Sequence, residues 1–282
     1  MQKRVMEKMA VSRVAIVKGE RSKDTVLRAL DLIGIEDEIA KPVIIKVNFI
    51  TDKTWETGAT TDPIVVDALV KFFKPRSPNV SVVESNATTT NADRAAEKTG
   101  ILEVCNENGV RFVNLSKVEE KVRVQVNDPE TLSSFVVPRI VLESYVVNAA
   151  KLKTHTQTGV SLGLKNMFGL LPEKMKFRYH LKNIEKVIVD LNSVLRADLT
   201  VIDGFVAMEG PGPVNGIPVK MDIIIAGRDP VATDALAAKI MGFSPDSIYH
   251  IRRAAEKKIG SMDEIEALGE SIESVARQFK RR

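Results

Sequence analysis

VIIKVNFITDKTWETGATTDPIVVDALVKFFKPRSPNVSVVES, residues 43–85, decides the fold. Its two ends, VIIKVNF (43–49) and NVSVVES (79–85), are continuous apolar runs rather than alternating ones, the pattern of strands covered on both faces. Between them Asp62 can cap, and Pro63 can open, a helix over IVVDALVKFF (64–73). The polar loop between Phe49 and Asp62 is long for a compact domain, and such loops tend to carry function.

Working outward, VAIVKG (14–19) reads as a strand, and Ser22 caps a helix that ends at Gly34. Downstream, ADRAAEKTGILEVCNENG (92–109) is helical and VRFVNLS (110–116) is a further strand. KVRVQV (121–126) alternates strictly and predicts a half-exposed antiparallel arm, turned back at Asn127-Asp128-Pro129. YVVNAA (145–150) returns to the core. Later runs read as a helix (183–197), a strand LTVIDGF ending at Asp203-Gly204, a Gly/Pro loop (207–218), a strand MDIIIAG (221–227) and a helix begun by Asp229-Pro230. The expected fold is α/β: a largely parallel sheet covered by helices on both faces, with an antiparallel or hairpin excursion near residues 119–140. One domain over 12–282 is expected, with an inserted subregion at 119–143 and a flexible N-terminus at 1–11.

Composition narrows the function. The formal charge of +4 is a small excess of 41 basic over 37 acidic residues, and aromatic content is 5%. That mixture, with no recognised motif, argues against specific nucleic-acid binding despite the basic FKRR tail. A lone cysteine, Cys105, excludes disulfides, cysteine-based zinc sites and an iron-sulfur cluster. No apolar run is long enough to span a membrane, and the N-terminal stretch lacks a signal peptide's apolar middle, so a cytoplasmic protein is expected. A homo-oligomer is left open.

The chemistry concentrates in KLKTHTQTGVSLGLKNMFGLLPEKMKFRYH (151–180). Lys151, Lys153 and His155 alternate along an extended end, so their side chains leave on one face. Thr158 and Gly159 follow, then a short helix on which Ser161, Lys165 and Gly169 recur every four residues. A helix start beside lysines, a histidine and close-approach glycines suits an anion, a phosphate- or carboxylate-bearing metabolite. Lys151, Thr158, Gly159, Ser161, Lys165, Asn166, Glu209 and Asn48 are the candidate substrate-binding residues. His155, Lys153, Asp203 and His180 are the catalytic candidates, as polarising groups and proton carriers. Asp234 stands out as a carboxylate on the apolar face Val231, Ala235, Ala238 and Met241, so it is expected to be buried and partnered. If it meets Asp203 and Glu209, a hard divalent ion, Mg²⁺ or Mn²⁺, is the fitting metal. If not, a lysine or a backbone turn must satisfy it. The rival readings are a non-catalytic cofactor-binding module, a nucleic-acid binder and, by analogy only, an epimerase.

Four ordered blocks carry a resemblance. K-x-K-T-H-x-x-T-G-V-S-L-G-L-K-N-M-F-G (151–169), the later His180, V-I-D-G-x-x-x-M-E-G-x-G-P (201–213) and D-P-V-A-x-D-A (229–235) together resemble the domain of unknown function 362 family. The resemblance implies no settled reaction. Many members of that family carry a ferredoxin-like cysteine module, and this sequence departs from them there.

Overall fold

The computed structural model describes residues 11–281, apart from the His180 side chain. The expected flexible segment at 1–11 falls, but for Val11, outside those residues.

The chain opens with β1 (Ser12–Lys18) and α1 (Lys23–Ile33), whose first turn is capped by the Ser22 side chain. β2 (Val43–Lys46), α2 (Pro63–Phe73) and β3 (Val80–Glu84) follow as the sequence predicts, and Asp62 accepts the Ile64 N–H at the start of α2. α3 (Ala92–Lys98), α4 (Ile101–Glu107) and β4 (Arg111–Asn114) complete the first half. β5 (Lys121–Gln125) and β6 (Ser134–Pro138) form a separate antiparallel pair, and α5 (Arg139–Glu143) leads back to the sheet. This is the predicted excursion. Its turn is held by buried Asp190, which accepts the N–H groups of Glu130, Thr131 and Leu132.

β7 (Tyr145–His155) and the short β8 (Gly159–Ser161) carry the chain to α6 (Gly163–Asn166) and α7 (Phe177–His180). α8 (Ile184–Val194), β9 (Leu199–Glu209), β10 (Ile217–Gly227), α9 (Pro230–Ile240), α10 (Tyr249–Glu256), β11 (Ile265–Gly269) and α11 (Ile272–Val275) finish it.

The main sheet runs β11-β1-β10-β9-β7-β2-β3-β4, with β8 added on β7. β9, β7, β2, β3 and β4 are mutually parallel, whereas β10 is antiparallel to both β9 and β1. One apolar layer packs α1, α2 and α4 against one face. The other layer packs α8, α9 and α10 against the opposite face. Burying apolar area on both faces is what makes the strands read as continuous apolar runs.

Two expectations need correction. β9 does not stop at Asp203-Gly204 but runs on to Glu209, pairing with β10 as one long hairpin. Asp203 is tolerated inside the strand because Lys151 and two backbone N–H groups satisfy it. The other concerns α9, which has no single apolar face: its residues from Pro230 to Ala238 are all buried. Among the described residues no helix is long and apolar enough to cross a membrane.

Candidate functional site

A cavity of about 280 Å³ opens beyond the carboxyl ends of β2, β3 and β7, the edge where α/β sheets hold their ligands. Among the described residues four lysines line it, Lys46, Lys153, Lys165 and Lys176, against a single carboxylate, Glu84. Each reaches it from a different place. Lys46 ends β2 opposite Val83, and Glu84 ends the neighbouring β3 one residue further on. Lys153 lies near the end of β7, Lys165 on α6, and Lys176 just before α7.

Lys46 and Lys153 are fully engaged. Lys46 Nζ donates to Val47 O at 2.6 Å, Glu84 Oε2 at 2.8 Å and Asn166 Oδ1 at 3.1 Å. Lys153 Nζ donates to Ala59 O at 2.6 Å, Asn48 Oδ1 at 2.7 Å and Pro213 O at 3.4 Å. Three acceptors match the three N–H groups of an ammonium and leave none over. Burial, then the charges of Lys165, Lys151 and Lys46, pull the Lys153 pKa well below the usual lysine value. Burial lowers that of Lys46 too, with the Glu84 charge opposing. The acceptor sets hold both lysines charged against this pull.

Glu84 is equally committed. Its Oε2 also accepts the Phe49 N–H and its Oε1 accepts the Ser85 N–H. Gly169 makes the arrangement fit, since a Cβ there would stand 2.4 Å from both Glu84 Oε1 and Lys46 Nζ.

A relay of amides links the two charged lysines. Asn48 Nδ2 donates to Asn166 Oδ1 at 2.8 Å, Asn166 Nδ2 to Asn148 Oδ1 at 2.8 Å, and Asn148 Nδ2 to Gly163 O at 2.9 Å. A donor-only ammonium, Lys153, and an acceptor-only carbonyl, Gly163 O, terminate the relay and fix the orientation of every amide in between.

Lys165 and Lys176 are less occupied. Lys176 Nζ donates to Ser85 Oγ at 2.5 Å, and that hydroxyl donates to Gly169 O. Lys165 Nζ stands 5.0 Å from the centroid of the Phe168 ring. Burial lowers the pKa of each to about 8. His155 Nδ1 accepts the N–H groups of Gln157 and Thr158 at 3.1 and 3.2 Å, which places the proton of the neutral ring on Nε2.

Of the residues expected from sequence, Asn48, Lys153, His155, Ser161, Lys165 and Asn166 line this cavity. Lys151 does not: its ammonium is locked 2.6 Å from Asp203 Oδ2, and both side chains are fully buried. Thr158 and Gly159 shape the β7–β8 turn, where Thr158 Oγ1 donates to Val160 O. His180 closes α7, and its side chain lies outside the described residues.

The three acids of the expected metal site are not brought together. Asp203 is held by Lys151 and the Asp62 N–H, Glu209 by the Lys280 N–H and Arg277, and Asp234 by α6. Among the described residues no group of three His, Cys, Asp or Glu could hold a metal. Asp234 is buried, and it meets a backbone turn: its carboxylate accepts Gly163 N–H at 2.7 Å and Leu164 N–H at 2.8 Å. This overturns the expected anion site at the helix start. The N–H groups meant for a ligand already hold the protein's own carboxylate, whose pKa burial raises to about 7. Asp229 is the expected N-cap of α9.

Sequence reading missed Lys46, Ser85 and Lys176. Lys46 hides inside a run counted as apolar. Its signal was Glu84 at the end of the neighbouring strand, 38 residues away. Lys176 carries no signal beyond its place inside the central stretch.

The profile of the domain of unknown function 362 family matches residues 43–239. A thylakoid-associated protein of Synechocystis sp. is 26% identical over 241 residues, covering 82% of this chain and 73% of that protein. No solved structure matches. The family profile spans every strand that brings a lysine to the cavity, and the chain belongs to the domain of unknown function 362 family.

Proposed function

We propose that the protein binds a small, multiply charged anion, a phosphate- or carboxylate-bearing metabolite, in this cavity and acts on it as an enzyme. The carrying observation is the charge imbalance: four lysines face one carboxylate, and Lys46 already neutralises that carboxylate. A surplus of positive charge in a desolvated site is costly until an anion enters. Ser161, Thr88 and Thr156 add hydroxyl donors around the same space.

Lys165 and Lys176 are the ligand-facing charges, while Lys46, Lys153 and the asparagines hold the frame. A binding module without turnover would use the same charges, and product formation separates the two. The test is calorimetry with inorganic phosphate, sulfate and citrate on the native protein and on Lys165→Ala and Lys176→Ala. Binding of at least one anion that weakens about tenfold or more in each variant is expected. No binding by any of the three, or unchanged affinity in both variants, defeats the reading.

A further inference from the structure

Lys165 differs from the other three cavity lysines in one respect. Lys46 and Lys153 each donate to three oxygens, and Lys176 donates to Ser85. Lys165 makes no hydrogen bond among the described residues, and its side chain is partly open to the cavity that it lines. An amine without acceptors is not held in its protonated form. Burial and the Lys46 ammonium disfavour protonation, and the Phe168 ring and the Glu185 and Glu84 charges oppose them only in part.

We propose that Lys165 is a nucleophilic amine that forms a Schiff base with an anionic carbonyl compound, a 2-oxo acid or a phosphorylated aldehyde or ketone. This rests on the reading of the cavity as an anion site and names the substrate class for it. The neutral Nζ attacks the carbonyl carbon. The carbonyl oxygen takes a proton, and a carbinolamine results. Nitrogen then loses its remaining proton as the hydroxyl leaves with one, so one C=N bond replaces one C=O bond and one water is released. No oxidant or reductant enters. His155 and Ser161 line the same cavity and are the groups able to pass the proton to the departing hydroxyl. The carboxylate or phosphate of the substrate meets the Lys176 ammonium.

Burial and the nearby Lys46 charge lower the Lys165 pKa to about 8. Roughly a tenth of this amine is then neutral at pH 7, against less than about a thousandth of an ordinary lysine. Lys176 has a similar pKa but is the poorer nucleophile, because reaction there breaks its bond to Ser85 Oγ.

The full chain is treated with one equivalent of pyruvate or of pyridoxal 5′-phosphate, reduced with sodium borohydride, and digested for peptide mass mapping. The two probes separate a carboxylate-bearing from a phosphate-bearing partner. Expected is an adduct on Lys165 with at least one probe, formed tenfold or more faster than on exposed lysines and suppressed by excess inorganic phosphate. Its rate rises from pH 7 to pH 9, and Lys165→Arg lacks it. Absence of a Lys165 adduct with both probes overturns the inference, as does labelling at the rate of exposed lysines. If phosphate still raises the melting temperature of the unlabelled native protein, the Schiff base alone fails and the anion cavity stands. If phosphate, sulfate and citrate all leave that temperature unmoved, both fall.

Discussion

Lys165 and Lys176 share one ring: their ammonium groups lie 5.0 and 5.7 Å from the centroid of Phe168. Two like charges are gathered at one aromatic ring and neither forms an ion pair among the described residues; Glu84 is committed to Lys46, and Glu185 and Glu173 act on them only from a distance. Cation–π attraction offsets only part of that repulsion.

Anion affinity should therefore depend on pH. Both lysines have pKa values lowered to about 8 by burial, so they are ammonium below that value and amine above it. Sulfate, whose charge is constant over this range, is expected to bind about tenfold more weakly at pH 9.5 than at pH 7. Isothermal titration at the two pH values checks this, and equal affinity contradicts it.

The same shift makes Lys165 a cost to the ligand-free fold. Its folded pKa of about 8 lies below the ordinary 10.5. Between those values the unfolded chain binds more protons, so this group's contribution to stability rises with pH across that window. Lys165→Met should raise the melting temperature at pH 7, and the advantage should shrink towards pH 10. A variant less stable than the parent at pH 7 refutes the assignment.

Glu84→Gln leaves the Lys46 ammonium buried without its counter-charge, at a cost of about 3–5 kcal/mol by urea denaturation. The double variant Glu84→Leu with Lys46→Met removes both charges and should cost less than the single one. If the double variant is worse, the pair does not act as a unit.

Gly169→Ala puts a methyl group 2.4 Å from Lys46 Nζ and Glu84 Oε1. We expect a loss of about 1–3 kcal/mol in stability from overpacking, together with weaker sulfate binding. Unchanged stability and unchanged binding would mean that the pair relaxes without consequence.

Asp234→Asn keeps the shape but offers one carbonyl oxygen where two N–H groups need acceptors. A loss of about 1–2 kcal/mol is expected. Because the folded pKa is raised to about 7 from 3.8, the native carboxyl stabilises most at low pH and loses that contribution as pH rises through 7. The variant should lack that slope between pH 4 and 7 in thermal melts.

The layered sheet could be read from sequence because runs such as Val43–Val47 and Val80–Val83 bury both faces, and burial leaves a compositional mark. Charged residues inside strands left no such mark. Asp203 looked like a strand end because nothing local shows that Lys151, 52 residues earlier, neutralises it. Lys46 was read as part of an apolar run for the same reason. The central stretch was recognisable by residue type, yet its apparent helix start was misassigned as open. Asp234 fills it from 71 residues away, a pairing that follows from packing α6 on α9 rather than from spacing.

The Asp234 contact also sets an order of assembly. Every lysine of the cavity belongs to the first 176 residues, but the carboxylate that anchors the Lys165 helix is supplied only by α9, at Pro230–Ile240. A nascent chain that has made the first five parallel strands still lacks the anchor that orients its reactive amine. Until α9 has docked, the chain is therefore expected to lack the oriented Lys165 amine that the proposed Schiff base requires.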